Sequence, residues 1–592
     1  MNDLTTSGST TAGGAPPAET PPARREGSKP RSVRRLTADL SALGEPALWG
    51  LGGALALGII LIAGFLAMIV WNGMTTFWPK PIVQVELRDG TLIAGEPFRS
   101  GRYRPGDDVL ARLTPEQRAF VAANGGYSDR ILYRTANFDL YGDDFRWVSD
   151  FEMKATSLPQ DFFTFERQEW GNFIGRITRL VLNDRPVTLA DLSVADIRAA
   201  QQESRRRFSE IRRIERGDIG AVNFRIERER LAARRAALRH GPESRQAEQA
   251  AAQAEANIAA LQAEFARHQA RVDEIRAINR QNRITLQEVN GREKEVELAQ
   301  IVRFYQANTI GLWEKLGIYL SRWGEFLTSE PREANTQGGV LPAIFGTVTM
   351  TMIMVVIVAP FGVITALYLR EYAKQGKIVS VVRIAVNNLA GVPSIVYGVF
   401  GLGFFAYTMG TTIDGLFFPE RLPTPTFGTG GILWSSLTLA LLTVPVVIVA
   451  SEEALAAVPR SMREGSLACG ASKWQTIRYV VLPKALPGIM TGLILAMARG
   501  AGEVAPLMLV GVVKLAPALP FDEFFPFVHV ERSFMHLGFH IFDVGFQSRN
   551  SEAGKPMVFV TTLLLILLIV VMNATAIYIR NRLKRKYASG QF

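Results

Sequence analysis

Six runs of mostly apolar residues, each roughly 20 residues or longer, constrain this chain more than any other feature: residues 47–71, 341–368, 384–407, 432–450, 486–513 and 558–579. A helix of that length crosses the hydrocarbon core of a bilayer, and it satisfies its own backbone hydrogen bonds there, which lipid cannot do for it. The first run is too long, and too poorly followed by a cleavage site, to be a signal peptide. Yet 20% of the residues are charged. A sizeable soluble part must therefore accompany the spans.

The flanks predict an orientation, because short loops rich in Lys and Arg stay cytoplasmic. Arg24, Arg25, Arg31, Arg34 and Arg35 precede the first run, and Arg370, Lys374 and Lys377 follow the second. Arg460, Arg463, Lys473, Arg478 and Lys484 separate the fourth from the fifth, and Arg580, Arg582, Lys584, Arg585 and Lys586 follow the sixth. With six spans these four clusters share one side, so both termini are expected to be cytoplasmic. The long Arg-rich segment between the first two spans escapes the charge rule. A net charge of +11 would suggest nucleic acid in a soluble protein. Here anionic lipid accounts for the flanks, and no nucleic-acid partner is expected. The lone cysteine, Cys469, excludes an intrachain disulfide.

Along the chain, residues 1–40 are rich in Thr, Ser, Pro, Gly and Ala without apolar period and read as disordered. Residues 80–335 read as a translocated domain. Its first part, 80–190, alternates apolar and polar residues as a β-rich module does, with Arg88-Asp89-Gly90-Thr91 as a hairpin turn. Residues 191–300 switch to Ala, Arg, Glu and Gln and read as a coiled-coil hairpin. Ile258, Leu261, Phe265, Val272 and Ile275 hold an a/d spacing, with His268 in its seam, and Gly241-Pro242 interrupts the helical pattern. Residues 310–332, with Trp313, Tyr319, Trp323 and Phe326, suit an interfacial helix. The remainder, 336–592, is a membrane body.

Chemistry motifs are sparse. There is no phosphate loop of the G-x-x-x-x-G-K-[ST] type, so the chain has no ATPase site of that kind. Gly401-x-Gly403 lies in an apolar span and reads as helix packing, as do Gly488 and Gly492. His536 and His540 sit one helical turn apart but lack the glutamate of an H-E-x-x-H enzyme. No catalytic residue, metal ligand or cofactor is assigned.

The polar stretch between the fourth and fifth runs is more specific. Glu464, Gly465 and Ser466, then three residues to Gly470, nine to Val480, one to Leu482 and then Pro483 reproduce the spacing E-A-A-x3-G-x9-I-x-L-P. Small residues and Gly470 allow a tight bend between two helices, and Leu482-Pro483 is expected to stop the second. In this spacing the chain resembles the permeases of ABC importers. "NLAGVPSIVYGVFGLGFF", "GGVLPAIFGTVTMT", "FGVITALYLREYA" and "ARGAGEVAPLMLVG" further resemble the PstA-type membrane subunit of the phosphate importer, over about residues 325–586.

The resemblance implies an all-α polytopic membrane protein with a MetI-like permease core, here with one extra N-terminal span and an inserted periplasmic domain. It implies location in the bacterial inner membrane and inorganic phosphate as substrate. As partners it implies a PstC-type permease subunit, two ATP-binding subunits and a periplasmic phosphate-binding protein, within the lipid bilayer. The bend would dock on the ATPase.

Arg499 and Glu503 point to the same substrate class on physical grounds. Near the middle of the fifth run and four residues apart, each would cost about 2.5–3.5 kcal/mol in lipid, so both are expected to face the protein interior. The guanidinium offers a bidentate donor fork to an oxyanion, with Glu503 holding it or answering its charge. Asn387 and Asn388, at the start of the third run, are polar enough to line the same path. An arginine does not name its anion, so sulfate, molybdate or a phosphonate remain alternatives, as does a regulatory scaffold that no longer transports.

Overall fold

The computed structural model describes residues 46–188, 193–516, 518–522, 527–548 and 551–588. The segment expected to be disordered, with its five arginines, lies outside them. Among the described residues, six helices are long and apolar enough to cross a membrane: Trp49–Thr75, Leu341–Tyr372, Ser394–Phe417, Ile432–Ala456, Lys473–Gly502 and Glu552–Arg585.

The third and fifth spans are displaced from the sequence expectation, with a proline at one end of each, while the fourth and sixth keep their places and run longer. The third is Ser394–Phe417 rather than 384–407. Pro393 disfavours helical backbone at Val392, and the N–H groups of Gly391 and Val392 turn back to the carbonyls of Asn388 and Leu389. Lys377–Leu389 is therefore a separate amphipathic helix. The fifth span is Lys473–Gly502, shifted from 486–513. Its far end is set by Pro506, whose ring would collide with the Gly502 carbonyl if the helix continued. Glu503 is extended (φ −77°, ψ 135°), and a short helix, Ala505–Val510, follows.

The fourth span is the most enclosed of the six. Its Leu439, Leu442 and Val447 pack with Met350, Met354 and Val358 of the second span and Ala496 of the fifth. Small residues permit this closeness, as expected for Gly401, Gly488 and Gly492. A Cβ on Gly401 would collide with Thr438, and Cβ atoms on Gly488 and Gly492 would press on Ala454 and Ala450. Gly403 has open space around it and plays no such part.

The soluble part carries two main antiparallel sheets. Strands β1 (Val83–Leu87), β2 (Leu92–Tyr103), β3 (Ser128–Arg134), β4 (Phe145–Ser149) and β5 (Met153–Ser157) form the first, in the order β4-β3-β2-β1-β5. The β1–β2 turn is where the sequence places it: Gly90 has φ +85°, and the Asp89 carboxylate accepts from the Thr91 N–H. The second sheet contains β6 (Phe163–Arg167), β7 (Asn172–Leu182), β8 (Arg185–Val187), β9 (Arg283–Gln287), β10 (Glu293–Glu297) and β11 (Ile301–Tyr305). Its order is β10-β9-β7-β6-β11, with β8 on β7.

That topology corrects the expected boundaries. The β module does not end near 190 and the hairpin does not extend to 300, because three strands after the hairpin complete the second sheet. The hairpin is an excursion between β8 and β9. Ile284 and Leu286 are buried in β9 at alternating positions, with the polar Arg283, Thr285 and Gln287 on the other face.

The hairpin rises through Val194–Arg213, a π turn and Gly220–His240, reverses at Gly241 (φ +88°) and returns as Arg245–Arg280. Ser193 and Ser244 cap its two helix starts. Val272 and Ile275 meet Ile211, Ile214 and Ile219, with Phe265 alongside. His268 is half-buried beside Glu264.

The helix Leu312–Thr328 leaves Trp313 exposed but packs Trp323 and Phe326 on Phe77, at the exit of the first span. A buried ionic cluster fixes the domain to it. Glu166 of β6 accepts from Arg303 at 2.5 Å and from Arg322 at 2.5 and 2.8 Å. Arg322 also donates to the Phe77 carbonyl and to the Tyr305 hydroxyl. The surrounding guanidinium groups overcome burial and hold the Glu166 carboxyl down at about 2, while burial pushes the Tyr305 hydroxyl up to about 12.

Candidate functional site

Two sites predicted from sequence lie at opposite ends of one helix. At its start is the polar bend. Arg460–Ala468 forms the first limb, the chain turns at Cys469-Gly470, and Lys473–Thr476 opens the second. Gly470 has φ +84°, which a residue with a Cβ adopts only at a cost. The N–H groups of Gly470 and Ala471 return to the carbonyls of Leu467 and Ser466, so the turn consumes the carbonyls left free by the first limb. Ser472 caps the second limb reciprocally with Gln475. The Ser466 and Thr476 hydroxyls meet at 2.9 Å across the bend.

One face of this bend is fastened to the spans. Thr476, Ile477 and Val481 are buried, and Val481 joins Leu369, Ile448 and Leu455 in one apolar cluster. Arg463 donates to the carbonyls of Val458 and Leu455 and pairs with Glu371 at 3.0 Å, tying the first limb to the end of the second span. The other face is open. Glu464 and Gly465 are exposed, nothing lies within 4 Å of the place a Gly465 Cβ would occupy, and Leu467 and Trp474 are about half exposed. The expected helix stop at Leu482-Pro483 does not occur. The π turn Ile477–Val481 widens the helix just ahead of Pro483, which lacks an N–H to donate, and the helix runs on to Gly502. Val480, Leu482 and Pro483 thus form a rigid junction between bend and span, each partly buried.

At the far end of the helix, Arg499 Nε lies 3.6 Å from Glu503 Oε1, with the side chains 36% and 23% exposed. The two are not stacked on a helix face as their spacing suggested, since the helix ends at Gly502. Glu503 reaches back from extended backbone. At 3.6 Å the contact is an ion pair rather than a hydrogen bond. No acceptor within hydrogen-bonding distance engages the guanidinium among the described residues. Gly500 beside it is packed against Met354 of the second span. Tyr397 of the third span lies within electrostatic reach of Arg499, and its hydroxyl donates to the Leu389 carbonyl at 2.6 Å. Arg499 therefore sits where the second, third and fifth spans approach one another, at a helix break.

Asn387 and Asn388 are both exposed on Lys377–Leu389, and no hydrogen bond joins either side chain to Arg499 or Glu503 among the described residues. Asn388 accepts the Gly391 N–H through its carbonyl, at the turn that ends its helix. Asn387 lines a small hollow of about 170 Å³ with Arg383, Glu452 and Glu453, where Arg383 pairs with Glu452 at 3.2 Å. Sequence reading missed Tyr397, the Arg463–Glu371 tie and the break at Pro506. "EVAPLML" carried the signal for the last. Among the described residues no group of His, Cys, Asp and Glu is placed to hold a metal ion. His536 and His540 are buried.

Residues 358–585 match the family model of the binding-protein-dependent transport system inner membrane component. The chain is 30% identical over 234 residues to the probable ABC transporter permease protein YqgI of Bacillus subtilis, covering 39% of this chain and 74% of that protein. It is 37% identical over 204 residues to the probable ABC transporter permease protein YqgH of the same organism, covering 33% and 62%. It is also 41% identical over 175 residues to the phosphate transport system permease protein PstA 1 of Mycobacterium tuberculosis, covering 29% and 52%. The chain thus spans about half to three quarters of the length of these relatives.

Proposed function

From the premise that this chain belongs to the family of binding-protein-dependent transport system inner membrane components, as a PstA-type ABC permease, we propose that it forms half of a pathway importing inorganic phosphate. The observation that carries the substrate class is the guanidinium of Arg499 at a helix break among three spans, whose one ion-pair partner among the described residues is Glu503 at 3.6 Å. A fork of N–H donors fixed there replaces part of the hydration an oxyanion loses. Glu503 answers the charge when no anion is present. The likeness to PstA 1 of M. tuberculosis supports phosphate as that anion.

The polar bend Glu464–Pro483 is the coupling element in this reading. Its open face, with Glu464, Gly465, Leu467 and Trp474, is the docking surface for a separate ATP-binding subunit. Its fastened face passes movement through one continuous helix to Arg499. The complete importer comprises a second, PstC-type permease, two ATP-binding subunits and a periplasmic phosphate-binding protein. Both termini are cytoplasmic and the inserted domain is periplasmic, as the charge of the short loops requires.

Radiolabelled phosphate uptake in a strain lacking its own importer, with sulfate as competitor, tests the proposal. Uptake that depends on this chain and resists excess sulfate supports it. Uptake abolished by sulfate makes the protein a permease for another oxyanion, and absence of any uptake with the complex assembled makes it a scaffold.

A further inference from the structure

A cavity of about 400 Å³ opens where the soluble domain meets the ends of the first and last spans, away from Arg499. Its volume falls in the range typical of small-molecule sites, roughly 300–1,000 Å³. The floor is apolar and belongs to the spans and their exits: Phe77, Trp78, Pro556, Met557 and Phe559. The walls come from the domain and carry five basic side chains against three acidic ones, with Lys555 of the last span as a sixth basic group.

The basic groups are not equally occupied. Arg322 is saturated by Glu166, Tyr305 and the Phe77 carbonyl, and Arg332 by Glu325 and the Arg167 carbonyl. Arg99 and Lys555 both lean on Glu552. Two remain. Lys80 Nζ lies over the Phe98 ring at 5.1 Å and reaches one acceptor, the Pro97 carbonyl, at 3.4 Å. Arg134 Nε is buried without a hydrogen-bond partner, and its guanidinium makes no ion pair within 4 Å among the described residues. Asp144 feels its charge only from beyond that distance. Burial holds the Lys80 ammonium below its ordinary pKa, opposed by Glu96. A half-buried ammonium with spare donors beside a guanidinium N–H without a partner can take a further oxyanion acceptor, in addition to the Glu96 carboxylate that lines the same cavity.

We infer that this cavity is a phosphate-group site, with Lys80 and Arg134 as donors and the Phe77-to-Phe559 floor accommodating whatever the phosphate carries. Its oxyanion comes either from a membrane phospholipid, with chains along the apolar floor, or from free inorganic phosphate. The inference does not rest on the transport reading, since neither donor belongs to the pathway around Arg499.

Native mass spectrometry of the full chain, extracted from its membrane in mild detergent, reads the lipid arm. Calorimetric titration of the delipidated chain with inorganic phosphate reads the other. A phospholipid adduct retained by the wild type, reduced roughly tenfold or more in Lys80→Gln and restored in Lys80→Arg, assigns the lipid source. Saturable phosphate binding that weakens to the same degree in Lys80→Gln, and not in Arg499→Gln, assigns free phosphate. Lys80→Gln loses one long carbonyl contact and the approach to the Phe98 ring, so it is expected to fold, and Lys80→Gln with Arg134→Gln is the stronger second variant. Lipid retention unchanged in both variants together with no phosphate response overturns the inference. So does a phosphate response that follows Arg499 alone.

Discussion

Arg235, on the rising limb of the helical hairpin, donates through Nε to Glu420 Oε1 at 3.1 Å, and Glu420 belongs to the loop that follows the third span. The carboxylate is 2% exposed while the arginine is half exposed. Hydrogen bonds from Arg235 outweigh burial and hold the Glu420 carboxyl below its ordinary pKa. The hairpin thus reaches past its own domain and rests on the membrane core. Arg212 and Arg216 make a second tie, to Glu330 near the entry of the second span.

These ties are accessory to transport if the pathway lies among the spans. A deletion that tests this has to spare β9, which begins at Arg283, because β9 pairs with both β7 and β10. Removing residues 227–262 and closing the gap with a short turn leaves the Ile219–Val272 core and the sheets intact and removes the Arg235–Glu420 contact. Phosphate uptake is expected to stay within about threefold of wild type, a change of less than 1 kcal/mol at most steps. Complete loss of uptake, with normal membrane insertion, would make the hairpin an essential element.

Gly470 carries the next prediction. An aspartate there adds a Cβ in left-handed backbone, costing about 1–2 kcal/mol, and places a charge on the docking face. Gly470→Asp should leave the complex assembled but abolish substrate-stimulated ATPase activity. Gly470→Asn, which tolerates the left-handed region better, should retain part of it. Stimulated ATPase at wild-type rates in Gly470→Asp removes the coupling role of the bend.

A third prediction concerns Glu166 and acid. Its carboxyl is held at about 2 in the folded domain against 4.5 when free. A depressed pKa stabilises the folded state fully above 4.5, and that stabilisation fades as pH falls from 4.5 towards 2. Glu166→Gln removes this part of the acid dependence. It also leaves Arg322 without its carboxylate, while Arg303 keeps Glu325 at 3.2 Å, a loss of about 3 kcal/mol. Limited proteolysis of the full chain at pH 7 should therefore cut the soluble domain of Glu166→Gln much faster than that of the wild type. On acidification below pH 4.5 the difference should narrow.

How much of this was legible beforehand depended on whether the determinant was local. The six spans announced themselves through long apolar runs, and the bend through Gly470 and its spacing, because each is encoded within a short window. The ends of the third and fifth spans did not, since apolar content continues past Pro393 and Pro506 and only the prolines' geometry breaks the helix. The strands β9, β10 and β11 were concealed for another reason. β9 and β11 join the sheet through β7 and β6, which lie more than 100 residues earlier, and β10 pairs only with β9, so the short β9–β10 hairpin had nothing nearby to mark it as part of a larger sheet. The polar residues divided along the same line. Arg499 and Glu503 stood out by their cost in lipid, whereas Asn387 and Asn388 were read as the start of a span and lie instead on the separate amphipathic helix Lys377–Leu389.

Arg499 gives the sharpest test. Its guanidinium, 36% exposed, pairs with Glu503 and lies within electrostatic reach of Tyr397, and a charge in a membrane helix is tolerated where it meets such polar partners. Lysine keeps the charge and loses the planar fork, whereas glutamine keeps donors and loses the charge. Arg499→Gln should therefore reduce phosphate uptake by about 100-fold or more, a loss of about 3 kcal/mol or more of transition-state stabilisation, and Arg499→Lys by less. Glu503→Gln should do least, since the carboxylate contacts Arg499 only at 3.6 Å and matters chiefly when no anion is bound. The competing account makes the pair a packing device. Replacing a buried ion pair with apolar residues is often neutral for stability, so on that account Arg499→Met with Glu503→Leu folds and transports normally. On the pathway account the same double variant folds, reaches the membrane and assembles with its partners, yet imports no phosphate. Uptake by that variant at the wild-type rate, with membrane abundance measured alongside, would remove Arg499 from the pathway.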